Sequence, residues 1–380
     1  MYLLIGVLLT VLSVIEISRK GRGMDYIFKI CWLLMTVVLC LRYGQGTDYF
    51  SYLWLYNSVD AGGSFLENQL GHGELGWYML NLAFVRMGLS FEHLVGFISL
   101  VMMVCVYIAV NRYSPYKILS LLLFYPEYYM TYCCSGLRQG LAICLFLAFL
   151  VPLLIKGRYK WYYVGCVGLM SLHMASAALL LIPLFLKLRF RKSWIYVIAA
   201  AMFSIILIMS GVVGSLLGTV GGDEGYAEGS GSIVGVLYRI VMFAIIYQLY
   251  FKSKDRTENT LFNIYYCSVL IFMCLMPLAL VSQRLSTTLK SVEILLIPQL
   301  LYYRFADFKM RKLPYSPALM SILMIAVSCV MLFKNINGYI DMGRYYPHVT
   351  IMNYPYITIF DKEEVFQHRY VSVLYEEMID

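Results

Sequence analysis

Two carboxylates, one histidine and three arginines are the side chains through which this 380-residue chain could do chemistry. Asp48 and Glu74 are candidate bases, able to take the proton of a sugar hydroxyl or to orient it. His173 lies in an apolar run, where it can act as a base or a hydrogen-bond donor. A lone histidine on an apolar helix is also commonly a packed core residue. Arg138 stands in Ser135-Gly136-Leu137-Arg138-Gln139-Gly140, which opens an apolar helix. A cation in a first helical turn opposes the dipole unless an anion is present. Helix start plus guanidinium therefore makes a sound diphosphate site, and Gly136 and Gly140 would let a ligand approach closely. Pairing with Glu127 or snorkelling outward is the structural alternative. Arg284 and Arg239 are its candidate helpers. Arg284 follows Ser282-Gln283 at the start of an apolar stretch. Arg239 lies inside a span, where an ionisable residue is functional by default or half of a structural ion pair.

The most informative stretch is Arg42-Tyr43-Gly44-Gln45-Gly46-Thr47-Asp48-Tyr49-Phe50-Ser51-Tyr52. Two glycines between opposite charges allow a sharp turn. Tyr49, Tyr52 and, farther on, Trp77 are of the type that stacks on sugar rings. The plainer reading is an aromatic anchor at a membrane interface. No Asp-x-Asp motif sits nearby, which disfavours a metal-dependent nucleotide-sugar transferase. No Gly-x-x-x-x-Gly-Lys-[Ser/Thr] loop is present, which argues against an ATPase. The five histidines show no metal spacing. The ten cysteines include no Cys-x-x-Cys pair, and adjacent Cys133 and Cys134 suit neither a disulfide nor a metal. No metal site and no cofactor are expected.

These residues are embedded in an apolar chain: 61% hydrophobic, 14% charged, with a mean hydropathy of +0.72. A soluble domain carries roughly 25% charged residues. The expectation is an all-α polytopic membrane protein forming one integral domain over residues 1–380. Candidate spans are Tyr2–Ile17, Ile27–Leu41, Leu94–Val110, Ile118–Met130, Leu137–Ile155, Ile195–Leu217, Ile233–Phe251, Leu261–Val281, Val292–Tyr303 and Ala318–Phe333. The first reads as a retained helix, because its charges follow the apolar run instead of preceding it. Net charge +8 resides in short basic loops, which is a membrane signature and not one of nucleic acid.

Those basic loops belong in the cytoplasm. Trp161–Leu186 then has basic flanks at both ends, so a bent or hairpin segment with His173 near the bend is expected. Leu75–Leu89 would be about 22 Å long as a helix, too short to cross unaided. It is expected to re-enter or to lie in the outer interface. About ten spans result, with both termini outside. Residues 42–74, the Gly/Ser-rich 218–232 and the tail 335–380 become extracytoplasmic, and Asp48, Glu74, Arg138 and Arg284 share one face with His173 directed toward it.

In order and spacing, these residues resemble the EpsG family of bacterial polysaccharide polymerases, relatives of the Wzy polymerases. The resemblance rests on Arg42 with Gly46-Thr47-Asp48 and Tyr52, then Glu74 with Gly76, then Arg138-Gln139 with Leu141-Ala142. His173 after a basic loop follows, and then the ending Tyr354-Pro355-Tyr356 with Ile359-Phe360. The acidic tail beyond Phe360 is longer than that pattern accounts for. The resemblance implies a Wzy-like bundle in the bacterial plasma membrane that assembles exopolysaccharide or capsule at the outer face. The implied substrate is undecaprenyl-diphosphate-linked oligosaccharide, with other export or chain-length proteins as possible partners. Arg138, assisted by Arg284 or Arg239, would hold the diphosphate. Arg42, Tyr49, Tyr52, Trp77 and Gln139 would bind sugar or shape the loop. The competing class is a lipid-linked glycan flippase or polysaccharide transporter. That class should show a charged path to both faces and often inverted repeats. An acyltransferase would need a His-based pair, and His173 shows no evident partner in sequence.

Overall fold

Residues 1–65, 74–187, 194–209, 233–250, 255–307 and 317–370 are described by the computed structural model. Within them the chain is all-helical, apart from two isolated antiparallel bridges, Arg42 with Thr358 and Tyr345 with Arg369. The helices needed below are α1 (Tyr2–Ser18), α2 (Asp25–Leu41), α3 (Tyr49–Asp60), α4 (Leu75–Arg86), α5 (Phe91–Tyr113), α6 (Lys117–Phe124), α7 (Leu137–Leu145) and α8 (Tyr159–Leu172). They continue with α9 (Ile233–Leu249), α10 (Arg256–Cys274), α11 (Ala279–Lys290), α12 (Glu293–Asp307) and α13 (Pro317–Met342). Among the described residues, three stretches are long and apolar enough to cross a membrane: Phe91–Tyr113, Leu137–Ile155 and Ser321–Met342. Shorter apolar helices cover Tyr2–Ser18, Met174–Lys187, Trp194–Leu207 and Gly235–Leu249.

Local chemistry sets the helix ends. Ser90 and His93 form a reciprocal capping box ahead of α5, satisfying N–H groups that the helix leaves orphaned. The Asp255 carboxylate accepts from the backbone N–H of Thr257 and Glu258 and so starts α10. After α6 the chain continues as a π-helix, Tyr125–Cys133. Pro126 lacks an N–H and its ring crowds the carbonyl four residues back, which favours the wider hydrogen-bond register.

The chain folds as two compact units, Met1–Ala148 with Gly168–Met174 and Ser321–Asp380, and Phe149–Val167 with Ala175–Met320. In the first, α1 packs on α6, α2 on α5, and α5 on α7. Its centre is rich in tyrosine. The Tyr125 hydroxyl donates to the Tyr2 carbonyl at 2.7 Å, and the Tyr129 hydroxyl to the Met35 carbonyl at 2.8 Å. In the second, α10 packs against α11 and α12, and α9 against α12.

Several expectations need correction. The single span Leu261–Val281 is two helices, α10 and α11, parted at Leu275–Leu278. Pro277 explains the break, since proline disfavours helical backbone in the residue before it. Arg284 accordingly lies in the middle of α11, exposed, and does not open an apolar stretch. Residues 49–60, expected as loop, are helix α3, which buries Tyr49, Tyr52, Leu53 and Tyr56 on one face. The last span runs on to Met342. The segment around His173 does break: α8 ends at Leu172 and a 3₁₀ stretch runs from Met174 to Leu181. Loop 218–232 and residues 66–73 and 371–380 lie outside the described residues.

Candidate active site

The loop after α2 is built on its two glycines. Gly44 has φ +60° and Gly46 φ +86°, backbone that L side chains rarely adopt. A Cβ on Gly46 would also meet the Cα and Cβ of Ser135 at 2.7 Å. That close approach lets Ser135 bind the loop: its Oγ accepts from the N–H of Thr47 at 2.9 Å and of Asp48 at 3.3 Å. The two segments singled out in sequence, around Asp48 and around Arg138, thus dock on each other. Thr47 Oγ1 donates to Asp48 Oδ1 at 2.9 Å, and Asp48 is exposed.

Arg42, expected to bind sugar or shape the loop, makes its contacts within the protein. It is 0% exposed and donates to the carbonyls of Leu39, Cys133 (2.8 Å) and Cys134 (3.2 Å) and to Ser99 Oγ (2.8 Å). Those carbonyls end α2 and the π-helix, where backbone acceptors lack intrahelical partners and the dipoles are negative. Arg42 therefore caps two helix ends and fixes the loop between them.

The tail completes this arrangement. Tyr43 N–H donates to the Ile357 carbonyl at 2.9 Å, Ile359 N–H to the Leu41 carbonyl at 3.0 Å, and Gln45 Nε2 to the Pro355 carbonyl at 2.7 Å. Arg369 is 6% exposed. It donates through Nη1 to the carbonyls of Gly44 (2.8 Å) and Gly46 (3.0 Å), and through Nε to that of Gly343. Its guanidinium also lies over the rings of Phe50 and Tyr345. Residues 355–369 form a clasp on the Asp48 loop.

Glu74, Arg138 and His173 come together beside it. Arg138 Nη1 bonds Glu74 Oε2, while Glu74 Oε1 lies 3.6 Å from His173 Nδ1 and accepts from the Met174 N–H at 3.3 Å. The three side chains are 13–17% exposed. Gly76 makes the convergence possible, because a Cβ there would strike Ser171 Oγ at 2.5 Å. Burial pushes the Glu74 carboxyl upward, but the His173 imidazole, the Arg138 charge and the Met174 N–H outweigh it and hold it below its ordinary range. Glu74 is therefore ionised at neutral pH and a weak proton acceptor. Both His173 ring nitrogens are enclosed, with no hydrogen-bond partner within 3.5 Å among the described residues.

The aromatics support this cluster. Tyr52 and Trp77 lie ring to ring at 5.3 Å, and the Arg138 guanidinium sits 5.5 Å over Tyr52. Tyr52, Trp77 and Tyr49 are 5%, 3% and 1% exposed, with Tyr49 packed among Tyr43, Phe50 and Phe91. Their faces are covered by protein, so they stiffen the site and do not offer an open sugar platform. Gln139 is buried. Gly140 also serves packing, since a Cβ on it would meet the Tyr132 carbonyl at 2.6 Å. Arg239 and Arg284 belong to the second unit. Among the described residues, no group of three or more His, Cys, Asp or Glu could hold a metal. Sequence reasoning missed Arg369; its only signal was a tail unaccounted for.

The model of the EpsG family matches residues 25–350. The chain belongs to the EpsG family. No curated protein and no solved structure matches it. Membership and the apolar helices make this EpsG protein an exopolysaccharide-related membrane protein. Asp48, Glu74, Arg138 and His173 all fall inside the EpsG match, whereas the clasp residues Ile357, Ile359 and Arg369 lie beyond it.

Proposed function

We propose that the chain is a polysaccharide polymerase that joins undecaprenyl-diphosphate-linked oligosaccharides at the outer face of the plasma membrane. In this reading it is a multi-pass protein of about ten spans, with residues 42–74 and the tail outside. The observation that carries the reading is the Arg138–Glu74–His173 cluster docked against the Asp48 loop.

The chemistry follows from the protonation states. Glu74, held ionised, lies 3.6 Å from His173 Nδ1 and favours the ring with its proton on that side; in this reading substrate entry opens the enclosed Nε2, which receives the acceptor proton. Asp48, exposed at the loop edge, holds a sugar hydroxyl. The acceptor oxygen attacks the anomeric carbon of the donor. The bond from that carbon to the diphosphate oxygen breaks, and its electron pair leaves with the diphosphate. In this reading the Arg138 charge stabilises the leaving group. The two carboxylates, Asp48 and Glu74, thus orient instead of acting as direct bases, and His173 takes the proton.

The test is incubation of purified protein with a lipid-linked repeat unit, followed by gel separation of glycans. A ladder of longer glycans is expected from the natural chain, with a loss of about a hundredfold or more in His173→Ala. Transport of the repeat unit across a vesicle membrane with no ladder would favour a flippase instead.

A further inference from the structure

The second unit buries an arginine for which the polymerase chemistry above has no use. Arg239, on α9, is 4% exposed. Its Nη2 lies 3.5 Å from Thr287 Oγ1 on α11, and its guanidinium carbon 4.2 Å from the Phe272 ring centre. Among the described residues, Nη1 is buried and has no hydrogen-bond partner. Thr287 gives its own proton to the Gln283 carbonyl at 2.7 Å, so it meets Arg239 only as an acceptor. The next residue, Tyr238, contacts a neighbouring pair: Lys290 Nζ lies 4.3 Å over its ring, and its hydroxyl is 3.5 Å from Glu293 Oε1. Lys290 and Glu293 pair at 3.3 Å and are both 1% exposed.

A buried charge without an opposite partner is costly. Within an apolar helix, such a residue marks a ligand or an ion. An aromatic face and a hydroxyl hold the guanidinium in place without neutralising it. Its planar fork matches two oxygens of a phosphate.

We propose that Arg239 with Thr287 forms a second phosphate site, which takes the phosphate of a lipid-borne substrate. This rests on the polymerase reading in one respect: joining two lipid-diphosphate substrates requires two phosphate sites, of which Arg138 supplies one.

Binding to the full-length protein in detergent tests it without turnover. The probes are short-chain phosphatidic acid, inorganic pyrophosphate and, as a control with a masked phosphate, phosphatidylcholine. The natural chain should bind two equivalents of phosphatidic acid, and phosphatidylcholine at least tenfold more weakly. Arg239→Gln should lose one equivalent, Arg239→Lys should keep it with about tenfold lower affinity, and Arg138→Gln should lose only the other. Lysine retains the charge and so keeps the test valid if glutamine impairs folding. Phosphatidic acid binding much more tightly than pyrophosphate assigns the site to a lipid; comparable binding assigns it to a soluble phosphate. Unaltered binding in both Arg239 variants, or complete loss in Arg138→Gln alone, overturns the second site. A missing glycan ladder would sink the polymerase reading while leaving these binding results intact.

Discussion

Arg42 and Arg239 are both buried, 0% and 4% exposed, and neither hydrogen-bonds a carboxylate among the described residues. Arg42, in the first unit, directs its donors to three helix-end carbonyls and a serine. Arg239, in the second, has one distant hydroxyl and an aromatic face. The contrast teaches that burial of a cation does not by itself report function; the count of satisfied donors does. A guanidinium whose donors end on backbone is part of the scaffold. One whose donors are left over is the observation on which the proposed phosphate site rests.

The sharpest test of the contrast is Arg42→Met. It strands three buried acceptors, each costing about 1–3 kcal/mol, so stability should fall by roughly 3 kcal/mol or more and little folded protein should survive detergent extraction. Fluorescence-detected gel filtration measures it; a monodisperse, normally stable variant would break the scaffold assignment. Next is Arg138→Ala, expected to lower glycan ladder formation about a hundredfold or more, a change of about 3 kcal/mol. Arg138→Lys should rescue poorly, because a point charge lacks the fork. If Arg138 served only to neutralise Glu74, the double variant with Glu74→Ala should recover activity, and measured polymer decides.

A smaller effect separates the two units by pH. Glu74 is held below its ordinary value of 4.5 in the folded state. Its contribution to stability is therefore present above that value and is lost as pH falls through the folded value. The melting-temperature advantage of the natural chain over Glu74→Gln should be full near pH 6 and shrink below about pH 4.5. An advantage independent of pH would remove the ion cluster as its source. The smallest effect is expected from Arg239→Met, since replacing an uncompensated buried charge with an apolar side chain is often neutral or stabilising. A loss as large as that in Arg42→Met would erase the contrast.

Much of the first unit is legible in the chain. Gly44 and Gly46 announce a turn that only glycine allows, and the tail motif Tyr354-Pro355-Tyr356 does meet that turn. Glu74, Arg138 and His173 stand out by residue type and place, and the structure brings them together. What sequence cannot show is satisfaction. Arg138 at a helix start calls for an anion, but the anion present is Glu74, 64 residues away. Tyr49 and Tyr52 have the chemistry of sugar platforms, and packing covers them. Apolar composition conceals the break at Pro277, because helix and turn alike are greasy there.

The clasp has a consequence in time. Gly44 and Arg369 are 325 residues apart in the chain. At about 5–20 residues per second, synthesis leaves the Asp48 loop without its clasp for roughly tens of seconds. A nascent chain interrupted before residue 369 has inserted its helices but lacks the hydrogen bonds from Arg369 that close the loop over Gly44 and Gly46. The loop reaches its closed form only once residue 369 has been made, so the ribosome finishes the loop that it began to build hundreds of residues earlier.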